Sequence, residues 1–182
     1  FETFSSTLEA VEAVRAARDL SKEIPVLASM TFLADGKTTF GTEVVEALSA
    51  LEEAGADIVG LNCTIGPQET LEVFQKVIGR VGVPVAAMPN AGYPWVVSGR
   101  TVYPATPDYF REVARDFVKA GAAIVGGCCG TTPAHVAAMA KEVVGKKRAP
   151  VERVARAFVS APSAPAPSEA GVDPFHRVAS SA

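Results

Sequence analysis

Cysteine is scarce in this chain, with three in 182 residues. An odd, small number excludes a disulfide framework and suits a reducing compartment, so a cytoplasmic protein is expected. No apolar run approaches the ~18 residues of a membrane-spanning helix, and no signal-peptide pattern opens the chain. Basic charge is not in excess: 17 Lys and Arg stand against 20 Asp and Glu, evenly scattered, which leaves no nucleic-acid footprint. Gly-x-Gly-x-x-Gly is absent, and with it the dinucleotide fingerprint. Cys-x-x-Cys is absent too, which weakens a thiol-redox reading.

What is present is an ordinary core-forming composition, 48% hydrophobic and 20% charged, that changes abruptly near the end. Residues 150–182 hold five Pro, five Ser and eight Ala, with little apolar periodicity after Phe158. Such a segment buries too little surface to offset its ordering entropy, so 149–182 is expected to be a disordered linker and 1–148 the folded part. The first residue is Phe, and Phe1-Glu-Thr-Phe4 has the character of a strand end, so a fragment with further domains in its parent chain is expected.

Within 1–148, apolar runs and helical periods alternate. Ser6-Thr-Leu-Glu9 is a capping box before a helix of roughly 14 residues. Ile24–Thr31 is a strand; Thr42 is expected to cap a second helix stopped by Gly55. Ala56–Asn62 is the next strand, and Gly66-Pro67 opens a third helix. Val83–Pro89 follows, then a polar connection through Tyr93 and Trp95 to Thr106-Pro107, where a fourth helix begins and runs to Gly121. Ala122–Gly127 and a helix from Pro133 to about Val144 complete the series. Strict alternation implies parallel strands, in either an open doubly wound sheet or a (β/α)8 barrel. We expect an α/β fold that is roughly the last half of a TIM barrel.

All three cysteines fall at predicted C-terminal strand ends, where active sites of such folds gather. Cys63 follows Gly60-Leu-Asn, and the other two stand in Gly126-Gly-Cys-Cys-Gly-Thr-Thr-Pro133. Neighbouring residues of a strand face opposite ways, so a shared partner for Cys128 and Cys129 needs a sharp turn, which the glycines permit. Three thiolates and one open position describe a catalytic zinc better than a structural one. His135 lies in the first turn of the last helix and is expected to pack rather than ligate. His176 falls in the linker. Tyr93, Trp95, Thr31 and Phe32 are near strand ends with positional evidence alone.

Gly60-Leu-Asn-Cys63, Pro89-Asn-Ala-Gly92 and the double-cysteine motif, in this order and spacing, resemble the homocysteine S-methyltransferase domain over Phe1 to about Gly145. That domain occurs alone, in cobalamin-dependent methionine synthases, in betaine-type enzymes and fused to methylenetetrahydrofolate reductase. The resemblance implies a zinc-bearing barrel with Cys63, Cys128 and Cys129 as ligands and homocysteine sulfur in the open position, yielding methionine. Glu2 matches the strand-end acid that binds the substrate amino group. Asn90 is a candidate to hydrogen-bond near the zinc or to lend its amide oxygen as fourth ligand. The expected partners are homocysteine and a small methyl donor. Methylfolate through cobalamin, S-methylmethionine, S-adenosylmethionine and betaine all stay open, with cobalamin or folate reaching the site through other domains. Half a barrel exposes sheet edges, so this chain alone is expected to be inactive. Two other readings stand beside this one: a thiol-redox protein, and a non-catalytic barrel fragment with structural cysteines.

Overall fold

A computed structural model describes residues 1–147 and 150. The linker expected over 149–182, with His176, lies outside the described residues apart from Pro150. Among the described residues, five helices alternate with the strands of the main sheet: α1 Thr7–Leu20, α2 Val44–Ala54, α3 Pro67–Val77, α4 Pro107–Ala120 and α5 Pro133–Val143. Strands β1 Leu27–Met30, β2 Ile58–Asn62, β3 Val85–Met88 and β6 Ile124–Val125 form one parallel sheet in that spatial order. Phe1–Phe4 lies against the free edge of β1: Ser29 donates to the Phe1 carbonyl at 3.0 Å and Thr31 to that of Phe4 at 2.8 Å.

The strand order rises without reversal, so the sheet has none of the switch points that define a doubly wound fold. Its two faces differ in kind. Ala28, Met30, Val59, Leu61, Val85 and Ala87 point into one core with Val14, Leu48, Leu51, Phe74 and Phe117 of α1–α4. The alternate residues in register, Ser29, Gly60 and Ala86, are small, and a Cβ on Gly60 would come within 3.1–3.2 Å of its neighbours on both sides. Helices therefore cover one face, while the other is a row of small residues, which is the pattern of a barrel wall.

Chain punctuation explains most boundaries. Ser6 caps α1 by accepting from Glu9 N–H, and Thr106 caps α4 by accepting from Tyr109 N–H. Gly55 and Gly121 end α2 and α4 in the left-handed conformation, φ 110° and 104°. Two expectations fail. Thr42 does not cap α2; the preceding segment folds back on itself, Thr38 N–H bonding the Thr42 carbonyl and Lys37 bridging Glu43, so the helix starts at Val44 with Glu43 as N-cap. The polar connection after Trp95 is a hairpin, β4 Trp95–Val97 with β5 Arg100–Val102. Its turn, Ser98-Gly99, has φ of 50° and 75°, the double positive φ of a type I′ turn.

Candidate metal centre

Cys63 is the first residue past β2, and it leaves the strand in a left-handed conformation shared with Thr64, φ 63° at both. Non-glycine residues adopt this region rarely, and only where surroundings enforce it. Here the enforcement is visible: Cys63 N–H donates to the Met88 carbonyl at 3.1 Å, Ile65 N–H to Cys63 at 2.8 Å, and Asn90 N–H to Ile65 at 3.1 Å. The end of β3 thus holds the turn that swings Cys63 out of the sheet.

The same strand end holds the other two thiols. Cys128 N–H donates to the Pro89 carbonyl and Ala91 N–H to the Cys129 carbonyl, each at 2.8 Å. Asn90 Oδ1 accepts from Cys129 N–H at 3.1 Å, so this buried amide clamps the paired-cysteine loop. The flanking glycines act chiefly by leaving space. A Cβ on Gly127 would sit 2.3 Å from Thr131 Cγ2, and one on Gly130 would sit 2.1 Å from Tyr103 Cγ. Gly130 also has φ 78°, so it is required on both counts.

These constraints bring three sulfurs from two strand ends within 4.8 Å of one another. Cys63 Sγ and Cys129 Sγ are 3.7 Å apart. Two thiolates bound to one tetrahedral zinc, each at about 2.3 Å, stand about 3.8 Å apart. The donor set fits such an ion, and all three sulfurs could hold it. Cys63 and Cys128 are half-buried and Cys129 is exposed, so one flank is open to an incoming ligand. In the metal-free chain, burial first and the Cys63 thiol second push the Cys128 thiol up to about 12. Tyr103, stacked over Gly130 beside Cys129, has its phenol raised by desolvation and then by the neighbouring sulfurs.

Glu2 and Asn62 extend the cluster. Asn62 Nδ2 lies 3.3 Å from Glu2 Oε2, 2.6 Å from Thr3 Oγ1 and 3.8 Å from Cys128 Sγ. Glu2 is exposed, with its carboxylate linked to the sulfur site by a single amide. His135 is buried and committed elsewhere: Nδ1 accepts from Thr132 N–H at 3.1 Å and Nε2–H donates to the Ala105 carbonyl at 3.0 Å. Its ring packs edge-on against Phe110, so it is a packing residue. Phe32 lies in the core, and Thr31 bonds the Phe4 carbonyl. Tyr93 and Trp95 stay largely exposed at the start of the hairpin. Sequence reading passed over Asn62, Thr3, Ser29 and Tyr103. Only Asn62 carried a signal, a polar residue inside an apolar strand next to a cysteine.

The homocysteine S-methyltransferase family model matches residues 1–143. Methionine synthase of Mycobacterium tuberculosis is 39% identical over 152 residues, covering 81% of this chain and 13% of its own length. Methionine synthase of Mycobacterium leprae is 36% identical over 167 residues, 89% of this chain and 14% of that protein. Among solved structures, the apo form of the homocysteine methyltransferase MmuM from Escherichia coli superposes with a TM-score of 0.57 at 25% identity, over 78% of this chain and 48% of that one. Its metallated form gives 0.52 at 24% identity over 71% and 39%, a likeness of fold. The chain thus spans about half of one relative and a small part of the others.

Proposed function

Because the chain belongs to the homocysteine S-methyltransferase family, we propose that it carries the zinc-binding half of a barrel that transfers a methyl group to homocysteine, giving methionine. The observation that carries this reading is the convergence of Cys63, Cys128 and Cys129 within 4.8 Å at one sheet edge. A carboxylate, Glu2, stands one amide away. Bound by these sulfurs, zinc supplies the Lewis acidity that deprotonates an incoming thiol near neutral pH.

The chain's own groups do the rest. Three cysteinates outweigh the charge of a divalent cation, so electron density stays on the substrate sulfur and keeps it nucleophilic. Glu2 holds the substrate ammonium by a charge-assisted hydrogen bond. Asn90 keeps the paired-cysteine loop in place through Cys129 N–H, fixing the donor geometry as outer-shell groups do. Homocysteine sulfur then attacks the donor methyl in line. The S–CH3 bond forms as the donor–CH3 bond breaks, and the leaving group departs with the bonding pair. The donor is a cationic or cobalt-bound methyl. The likeness to methionine synthases favours methylfolate through cobalamin, delivered by other parts of a longer protein. A cytoplasmic setting suits three unpaired cysteines, and no helix among the described residues is long and apolar enough to cross a membrane.

Metal analysis of the purified intact protein tests this. One zinc per chain, lost in Cys128→Ser together with homocysteine-dependent methyl transfer, is the expected result. A metal-free protein whose thiol titre changes reversibly with redox poise would establish the thiol-redox reading instead. A metal-free protein with an unchanging thiol titre would leave structural cysteines.

A further inference from the structure

Asn62 is buried at the end of β2, and its side chain meets groups from three other segments. Its oxygen accepts from Thr3 N–H at 2.9 Å and from Ser29 Oγ–H at 2.8 Å. A backbone N–H can only donate, so the oxygen end of the amide is fixed on that side. The nitrogen must then face Thr3 Oγ1, Glu2 Oε2 and Cys128 Sγ. Two N–H bonds serve three acceptors, and the three belong to the two halves of the site.

Thr3 sharpens the point. It has φ 63°, an enforced left-handed turn directly after Glu2, and Asn62 grips it at both its N–H and its hydroxyl. The direction in which Glu2 leaves the chain is therefore set by Asn62. The same amide touches the Cys128 sulfur. We infer that Asn62 is a positioning residue that fixes the Glu2 carboxylate relative to the Cys128 sulfur, so that the site selects thiols bearing an α-amino group at homocysteine's spacing. The inference rests on the methyltransferase reading above and adds the residue that sets its substrate discrimination.

The side chain of Asp is the discriminating substitution. Asn62→Asp keeps both accepted hydrogen bonds and nearly the same shape; it removes the N–H donors and sets a carboxylate against Glu2. The intact protein is loaded with cobalt(II), and the thiolate-to-cobalt absorption is followed during titration with homocysteine or with its des-amino counterpart, 4-mercaptobutanoate. In Asn62→Asp, homocysteine is expected to bind about ten- to a hundredfold more weakly, the range for a lost hydrogen bond to a charged group. Any effect of the new carboxylate on the Cys128 sulfur is shared by both thiols, so affinity for 4-mercaptobutanoate should fall much less than that for homocysteine. Ser29→Ala, which removes only one donor to Oδ1, should shift homocysteine the same way by less, and it carries the test if the Asp variant does not fold. Equal weakening of both thiols in these variants, or no change in either, overturns the inference. If homocysteine leaves the cobalt spectrum of the unsubstituted protein unmoved, the methyltransferase reading itself fails, and the inference falls with it.

Discussion

The N–H of Cys129 donates to Asn90 Oδ1 at 3.1 Å, joining the paired-thiol loop to the end of β3 across 39 residues of sequence. Asn90 is itself only 5% exposed. Replacing it with Ala would leave the Cys129 N–H without its partner beside a sulfur ligand. Zinc affinity of Asn90→Ala, measured by competition with a chromophoric chelator, is expected to fall about 10- to 100-fold, the range for outer-shell partners. Overall stability without metal should change far less.

Proton release gives a second test. The metal-free Cys128 thiol is pushed from its ordinary 9.0 up to about 12, chiefly by burial, so at neutral pH it carries its proton. A metal binds only the thiolate, and loading must expel that proton. Zinc affinity should therefore fall as pH falls, and calorimetry in buffers of different ionisation enthalpy should register net proton release when the unsubstituted chain takes up zinc at neutral pH. The sign for stability runs the other way. The folded pKa is raised, so this thiol's contribution to the stability of the metal-free fold is fully present below pH 9.0 and is lost as pH climbs from there toward about 12. A denaturant midpoint that rises with pH over that window would contradict the burial of this thiol.

Much of the scaffold was legible because its signals are local. In α4, Thr106-Pro107, the buried series Phe110, Val113, Ala114 and Phe117, and Gly121 each do what their chemistry predicts within one stretch of chain. The three cysteines were legible because of their rarity and their strand-end positions. Thr42 misled because its backbone is taken by Thr38 before it can cap anything, a choice set by the fold-back of residues 37–43. The hairpin went unread because only one of the triplets flanking Ser98-Gly99 is apolar: Trp95–Val97 precedes the turn and Arg100–Val102 follows it. Asn62 could not be assigned a role, since Glu2, Thr3, Ser29 and Cys128 come to it from distant parts of the chain.

The apolar core makes a separate prediction. Phe74 is fully buried and meets Phe117 edge-on at 5.6 Å between ring centroids, locking α3 to α4. Truncation to Ala removes both the transfer free energy and the aromatic pair, and the cavity cannot close between two helices already packed on the sheet. Phe74→Ala should destabilise by about 3–5 kcal/mol, read as a lower urea midpoint at unchanged slope. A loss under about 1 kcal/mol would mean that α3 and α4 repack freely, contrary to close-packed interiors.

Gly130 and Gly145 separate two reasons for glycine. Both have φ 78°, yet a Cβ on Gly145 would meet nothing within 4 Å, while one on Gly130 would strike the Tyr103 ring at 2.1 Å. Gly145→Ala therefore measures the left-handed backbone alone, about 1–2 kcal/mol. Gly130→Ala adds the overlap with Tyr103, worth about 1–3 kcal/mol more if ring and loop give way together. The loop that gives way is the one carrying Cys128 and Cys129, so Gly130→Ala should also weaken zinc binding, whereas Gly145→Ala should leave it unchanged. Equal stability losses in the two variants, with equal zinc affinities, would show that the Tyr103 contact does not shape the metal loop.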